Sequence, residues 1–302
     1  MDLANPFPAP GQWYKGNLHT HTTVSDGLLS PEECIRQYRA RDYDFLALTD
    51  HGAVTQVASP GDGDFLLLLG AELDGDRSDI GESFHVVAFA LTHAAPVPQK
   101  PTVAAAIQWA KDHGGDAFFA HPAWSGLVIQ DLMRDQGHLG IEIFNTGCHF
   151  DLGKGFSTAH WDDVLGRDRR MWGFAVDDSH HRIPDHNPTD TAVAWTMVKA
   201  PELSREALLK SIREGLFYSS FGPTIHSISL DDGLVAVQTS PVKEISFIAQ
   251  RWAGGSFFAM HTPTITTATY PIQGHEQYLR IECRDIEGRW AWSNPIYFRD
   301  PK

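Results

Sequence analysis

Short apolar segments recur along the first two thirds of the chain, and most of them lead directly into a histidine or an acidic residue. Their continuous apolar character is typical of strands that are buried on both faces of a parallel sheet. Eight such segments lie at residues 16–20, 44–49, 65–71, 84–90, 117–120, 140–145, 171–176 and 192–198.

Helical segments lie between several of these strands. Ser30 and Glu33 form a capping box with Pro31 at the first helical position, which predicts a helix that runs to about residue 41. Further helices are predicted over residues 102–113 and after Ser204, a second N-cap residue. This alternation of strands and helices predicts an α/β barrel or a doubly wound sheet.

The pattern changes near residue 221, where helical periodicity ends. The remaining segments are short and are separated by turn residues, such as Asp232-Gly233 and Glu287-Gly288, which are hairpin signals. We therefore predict two domains, a barrel over residues 1–220 and a small all-β domain over residues 221–302.

Composition and charge exclude several classes of function. Lys and Arg total 24 against 38 Asp and Glu, and the formal charge of −14 argues against a protein that binds nucleic-acid polymers or anionic membranes. Cys34, Cys148 and Cys283 are far apart, which argues against a disulfide framework or a cysteine zinc site. We see neither a signal-peptide pattern nor an apolar run that could span a bilayer, and we expect a cytoplasmic location.

Histidine is abundant, at 16 of 302 residues, and imidazole is the commonest metal ligand in proteins. His19 and His21 end the first strand at i and i+2, so both side chains point to the same side. Similar donors follow most of the other strands. The full set of candidate metal ligands is His19, His21, Asp26, His51, Glu72, His85, His121, Asp178 and His180.

This donor set indicates a site with two or three divalent ions, because nine ligands exceed what one ion uses. Imidazole and carboxylate without thiolate suit zinc, iron or manganese. Any one member alone would more often be structural, and His85 alone would be taken for a core histidine. The joint pattern at successive strand ends favours the metal interpretation, since sites of barrels lie at that face.

Eight of the ten remaining histidines fall into two groups. We expect one group at the surface: His93, His113, His138, His261 and His275. His149, His181 and His186 lie in polar loops that could border the site, and we select His149 and His181 as candidate catalytic residues.

The ordered motifs resemble the PHP family, named for polymerase and histidinol phosphatase, over residues 12–220. The resemblance rests on His19-Thr20-His21, Ser25-Asp26-Gly27, Thr49-Asp50-His51, Gly70-Ala71-Glu72, His85, His121-Pro122 and Asp178-Ser179-His180. It implies a distorted (β/α)7 TIM-like barrel, with up to three Mn, Fe or Zn ions at its C-terminal face. It also implies hydrolysis of phosphate esters.

The resemblance further implies which ligands share an ion. The three implied groups are His19, His21 and Asp178; Glu72, His85 and His121, with Glu72 bridging to the first group; and Asp26, His51 and His180. Asp177 and His181 adjoin the last motif and leave a one-residue ambiguity. We choose Asp178 and His180 because their spacing matches the family's D-x-H pattern.

The C-terminal segments 218–223 and 291–296 resemble stand-alone PHP hydrolases that carry an appended β-domain, of the carbaryl-hydrolase type. That branch implies hydrolysis of carbamates or amides as well.

We expect a metal-dependent phosphoesterase that acts on small phosphorylated molecules. A hydroxide held by the ions would attack phosphorus, and a loop imidazole would protonate the leaving group. Arg77, Lys154 and Arg182 lie in loops that could supply a phosphate clamp. The alternatives are a carbamate or amide hydrolase that uses the same metals, and a PHP scaffold without catalytic activity.

Overall fold

The strands of the first 220 residues form where the sequence contains its buried apolar runs. The computed structural model describes residues 5–58, 63–134, 137–182 and 189–298. The strands of this part are β1 Gln12–Asn17, β2 Phe45–Leu48, β3 Leu66–Arg77, β4 Ser83–Leu91, β5 Asp116–Phe119, β6 Gly140–Asn145, β7 Trp172–Val176, β8 Trp195–Ala200 and β9 Phe217–Ser220. The helices are α1 Pro31–Arg39, α2 Val103–Asp112, α3 Ile129–Arg134, α4 Thr146–Leu152, α5 Thr158–Leu165 and α6 Arg205–Arg213.

Local sequence explains the helix ends. Ser30 caps α1, where its side chain accepts a hydrogen bond from the Glu33 backbone N–H and the Glu33 carboxylate accepts from the Ser30 N–H. The side chains of Thr102 and Ser204 cap α2 and α6 by accepting from the backbone N–H groups of Ala105 and Ala207. The predicted capping box and both later helix starts therefore agree with the structure.

The strands lie in the order β9-β8-β1-β2-β3-β4-β5-β6-β7. Pairing is parallel within β1-β2-β3 and within β5-β6-β7, whereas β4 is antiparallel to both of its neighbours. The six parallel-running strands end at one edge, and β4 begins there, opposite the end of β3. This edge carries the candidate site.

Side-chain hydrogen bonds join β8 and β9, near one end of the strand order, to β7 at the other end. Ser219 of β9 donates to the Gly173 carbonyl of β7 (2.8 Å) and accepts from the Ala175 N–H (3.0 Å). Thr196 of β8 donates to the Ala175 carbonyl at 3.3 Å. The sheet thus curves back on itself around a core in which Phe174 stacks on Phe118 and Phe217, at 4.6 and 4.9 Å between ring centroids.

The predicted (β/α)7 TIM-like barrel is confirmed only in its coarse features, a mixed α/β structure with a β-rich C-terminal region. Strands β3 and β4 form an antiparallel hairpin, whereas a regular barrel would join parallel strands through a helix. In the described ranges no helix lies between β2 and β3 or between β3 and β4. A ring of seven βα units is therefore absent from the part of the chain that the structure describes.

In the C-terminal region, every helix or strand assigned among the described residues is a strand. They are β10 Ile225–Asp231, β11 Leu234–Val242, β12 Glu244–Ile248, β13 Gly254–Phe258, β14 Ile265–Pro271, β15 Tyr278–Arg284, β16 Trp290–Ser293 and β17 Ile296–Tyr297. β16 pairs with β9, so β13-β12-β15-β16 continues the first sheet, and β10-β11-β14 forms a second one. The boundary at residue 220 stays a prediction.

None of the helices in the described ranges is long and apolar enough to cross a lipid bilayer.

Candidate metal centre

The end of β1 places two imidazoles at the centre of the site. Beyond β1, the His21 N–H donates to the Ser179 carbonyl at 2.9 Å, and the Asp178 N–H donates to the His19 carbonyl at 3.0 Å. These bonds hold the segment against the end of β7. His19 and His21 are both fully buried, and their Nε2 atoms lie 3.1 Å apart.

The first group of donor atoms has the spacing of a coordination sphere. Glu72 Oε2 lies 3.0 Å from His19 Nε2 and 3.1 Å from His21 Nε2, and Asp178 Oδ1 lies 3.3 and 3.0 Å from the same two atoms. Ligand atoms at about 2.0–2.2 Å from one ion are separated by about 2.8–3.6 Å from each other. The four donor atoms therefore fit around a divalent cation.

Two further groups share residues with the first. His51, Glu72 and His85 form one, and His21, Asp26, His51 and His180 form the other, with all donor atoms of a group within 4.8 Å of one another. His121 joins the Glu72 side, where its Nε2 lies 3.4 Å from Glu72 Oε1. All nine predicted ligands thus lie together. The grouping differs from the implied one because His51 lies between Glu72 and Asp26.

The structure separates the neighbouring acids Asp177 and Asp178. Asp178 faces the imidazoles, whereas the fully buried Asp177 accepts from the Tyr38 hydroxyl, the Thr146 hydroxyl and the backbone N–H groups of 192–194. Asp177 therefore anchors the loop after β7. His180 Nε2 lies 3.2 Å from Asp26 Oδ2, as expected for the residue chosen as ligand.

Two of the ligand positions have left-handed backbone conformations. The φ angles are 27° at His121 and 51° at Asp178, and such conformations cost about 1–3 kcal/mol each in non-glycine residues. Hydrogen bonds hold both in place: the His121 N–H donates to Glu142 Oε2 at 2.7 Å, and the Asp178 N–H donates to His19. Strain of this kind clusters at functional sites.

Glu142 is the residue of the site that the sequence analysis missed. It is fully buried in β6, and its Oε1 accepts from His19 Nδ1 at 2.6 Å. Asn145 Nδ2 bridges Glu142 Oε2 (2.8 Å) and Asp178 Oδ2 (3.1 Å). The bond from His19 Nδ1–H leaves the Nε2 lone pair facing the other donors. In the sequence, Glu142 could have been recognised as an acidic residue within an otherwise apolar strand segment.

Attraction between the imidazoles and the carboxylates outweighs the effect of burial on the pKa values of the site. Burial by itself would lower the pKa of His19, but Asp178, Glu72 and Glu142 outweigh it and raise that pKa well above the ordinary value. The pKa of His21 rises to about 9, because hydrogen bonds to Asp178 and Glu72 outweigh burial. Burial would raise the pKa of Glu72, yet His19 and His85 hold it well below its usual range. The ionised carboxylates therefore favour bound cations, whether protons or metal ions.

A cavity of about 190 Å³ opens above these donors. Its wall contains seven of the predicted ligands and six further residues: Trp124, Gly147, Cys148, Asp151, Arg182 and Asp190. Arg182 is half exposed, with its guanidinium nitrogens 3.8 Å from Asp26 Oδ2 and 4.0 Å from Asp151 Oδ2. Neither Lys154 nor Arg77 lines this cavity, so Arg182 is the clamp candidate that the structure places at the site.

Neither candidate catalytic histidine lies in the described wall of the cavity, and their catalytic role stays a prediction. His149 packs between Phe144, Phe150 and Phe156, at ring-centroid distances of 5.3–5.6 Å. His181 faces the opposite way, and its Nδ1 lies 2.9 Å from the Thr191 hydroxyl. His186 lies outside the described residues.

One expected surface histidine is corrected. His138 is buried, with 8% of its surface exposed, and packs edge-on against Phe119 at 4.6 Å.

The sequence matches no protein-family model and no curated protein. Several solved structures are similar to this chain, and three of them follow. A two-domain protein from Bacteroides vulgatus, containing a predicted PHP-like metal-dependent phosphoesterase, is 16% identical, with a TM-score of 0.48 over 96% of this chain and 98% of its own. An amidohydrolase from Chromobacterium violaceum with bound sulfate and no metal is 18% identical, with a TM-score of 0.41. The match covers 55% of this chain and 87% of the amidohydrolase chain.

The third structure, from Bifidobacterium adolescentis, is described provisionally as a metal-dependent phosphoesterase. It is 17% identical, with a TM-score of 0.41 over 61% of this chain and 93% of its own. Similarity at this level does not establish an activity, so the functional argument rests on the residues of this chain.

Proposed function

We propose that the protein is a metal-dependent phosphoesterase that hydrolyses small phosphate monoesters. The observation that carries this proposal is the convergence of nine imidazole and carboxylate residues, seven of which line one cavity, with three overlapping groups of donors at metal-ligand spacing. Mixed nitrogen and oxygen ligands without thiolate suit zinc, iron or manganese. Two or three such ions match the number of groups.

Divalent ions in these groups would activate a water molecule and neutralise charge on a phosphoryl group. The protein's own part is to hold the donors in place. Glu142 orients His19, and Asn145 orients Asp178 through the hydrogen bonds described above. Burial of both imidazoles of the first strand excludes bulk water from the floor of the cavity.

Arg182 supplies a cation on the cavity wall. Its guanidinium can donate to the non-bridging oxygens of a phosphate, which a guanidinium recognises through paired hydrogen bonds. Asp26 and Asp151 flank this side chain and hold it towards the cavity. The described cavity wall has no histidine outside the predicted ligands, so a loop imidazole as general acid is no longer part of the proposal.

A substrate panel tests this function. After loading with Mn, Fe or Zn, the protein should release phosphate from p-nitrophenyl phosphate or from nucleotides, and Asp178→Asn should abolish the release. Arg182→Gln should raise KM for phosphate esters, whereas Arg167→Gln, at an arginine that is equally exposed and lies outside the cavity, should not. No phosphate release with any metal would overturn the proposal.

A carbamate or amide hydrolase is the second candidate, favoured by one observation. Trp124 is 41% exposed on the wall of the cavity, which gives an uncharged ester or amide an apolar surface to contact. Release of the alcohol or amine from a carbamate panel, with phosphate esters left intact, would decide for this candidate. A non-catalytic scaffold would act on neither panel.

A further inference from the structure

Trp124 is unusual among the residues that line the metal cavity. Polar and ionisable residues dominate the wall, whereas Trp124 exposes 41% of a large aromatic side chain there. Two other exposed apolar side chains lie next to cavity residues: Leu28, whose N–H donates to the His180 carbonyl at 3.0 Å, and Leu152, which follows Asp151. The polar cavity therefore has an apolar rim.

The indole of Trp124 is held rigidly at this rim. The backbone N–H of Trp124 donates to the His121 carbonyl at 3.0 Å, in the turn after β5. The indole ring meets the His121 ring edge-on, at 4.9 Å and 72°, and lies 6.1 Å from the His85 ring. Two predicted ligands thus lie beside the indole, and 41% of Trp124 stays exposed.

The size of the cavity indicates that a substrate extends beyond it. Pockets that enclose a whole small-molecule ligand typically measure about 300–1,000 Å³, whereas this cavity is about 190 Å³ and would also hold the ions. It has room for the group that is cleaved and little more. The rest of the substrate would lie outside the cavity, beside Trp124, which is exposed in its wall.

We propose that Trp124 is a specificity-determining residue, whose exposed indole face stacks on an aromatic ring next to the group that is hydrolysed. The substrates would then be aryl esters, and under the function proposed above, on which this inference rests, aryl phosphates. Aromatic pairs prefer offset-stacked or edge-on geometry and gain energy beyond the area they bury. An aliphatic substituent would gain only the free energy of burying its apolar surface.

Binding measurements test this inference without requiring turnover. On the zinc-loaded protein, the Kd of phenylphosphonate should be about 3- to 10-fold lower than that of methylphosphonate, the range expected for one aromatic pair. Trp124→Ala and Trp124→Leu should reduce this preference, by weakening phenylphosphonate binding more than methylphosphonate binding, whereas Trp124→Phe should retain most of it. Trp252→Ala is the matched control, because Trp252 is 82% exposed and lies outside the metal cavity.

A second pair of ligands separates this inference from the proposed function. Benzohydroxamate and acetohydroxamate bind to metal ions directly and need no phosphate site. If neither phosphonate binds but benzohydroxamate binds more tightly than acetohydroxamate in a manner that depends on Trp124, the phosphate function fails and the aryl site stands. Equal affinities within each pair, or Trp124→Ala weakening both members equally, would overturn the aryl site. A zinc-loaded protein that binds none of the four ligands would overturn both.

Discussion

Glu142 controls the candidate metal site although it does not line the cavity. Its carboxylate fixes the His19 ring and holds the His121 backbone in its left-handed conformation. Partners of this kind usually set metal affinity almost as strongly as the ligands themselves. Most predicted ligands were recognised from their positions near strand ends, whereas Glu142 lies within β6 and its contact with His19 joins residues 123 positions apart.

Glu142→Gln should weaken metal binding by about 10- to 100-fold, because the amide no longer offers His19 and the His121 N–H two charged acceptors. Competition with a chelating dye measures the affinity. Glu214→Gln, at an exposed position at the end of α6, is the control and should bind metal as the wild type does. Equal affinities for Glu142→Gln and the wild type would show that His19 is held by other contacts.

His138 makes the fold sensitive to acid. Burial first, and then the charges of Arg169 and Lys111, lower the pKa of His138 to about 3, and neither ring nitrogen has a hydrogen-bond partner among the described residues. The unfolded chain takes up this proton near the ordinary pKa of about 6.5. Stability from the neutral ring is therefore complete above pH 6.5 and is lost progressively as the pH falls towards 3.

The free energy of unfolding should accordingly fall by about 2 kcal/mol more between pH 7 and pH 5 in the wild type than in His138→Leu. Urea denaturation at each pH measures the difference. His261→Leu, at an exposed position, should follow the wild type at both pH values. If the curves of wild type and His138→Leu are parallel, the burial of a neutral imidazole at this position is wrong.

At the scale of elements, the apolar runs predicted where strands lie but not how they are directed. β4 is the informative case. β3 continues past Glu72 to Arg77 and joins β4 through a short turn at residues 78–82, which is too short for a parallel crossover. The predicted strand ended at residue 71 and the next one began at residue 84. The 12 residues between them did not indicate that β3 and β4 form a hairpin. The reversal explains why His85 reaches the site from the beginning of its strand.

Closure of the curved sheet depends on a hydroxyl group that no periodicity indicates. Ser219 is fully buried and satisfies two backbone groups of β7. Ser219→Ala leaves both groups without this partner and should lower the free energy of unfolding by about 1–3 kcal/mol, measured by urea denaturation. Ser229→Ala, on the exposed face of β10, should have little effect. A Ser219→Ala protein as stable as Ser229→Ala would place the closure elsewhere.

At the scale of the whole molecule, the change of sequence pattern at residue 221 does not mark a break in the sheet. β16 pairs with β9, Phe221 stacks on Phe144 at 4.0 Å, and Trp292 packs 6.0 Å from the same ring. Turn signals revealed the all-β character of this region, whereas its attachment depends on contacts between residues far apart in sequence.

We therefore expect the chain to unfold in one transition. Far-ultraviolet circular dichroism and tryptophan fluorescence should give the same urea midpoint, because the C-terminal strands and the N-terminal core share aromatic contacts. A chain that ends at residue 220 should not show a cooperative transition, since Phe144 loses its stacking partners. Two separate midpoints, or a cooperative fragment, would show that residues 1–220 fold independently.

The central claim is that nine residues at one edge of the sheet hold divalent metal ions. Elemental analysis of protein purified without chelator tests this directly, in the wild type and in a His19→Ala/His21→Ala variant. The account predicts two or three equivalents of Mn, Fe or Zn per chain, in line with the three donor groups, and a clear loss in the variant that retains the fold. Substoichiometric metal that is unchanged in the variant would contradict it.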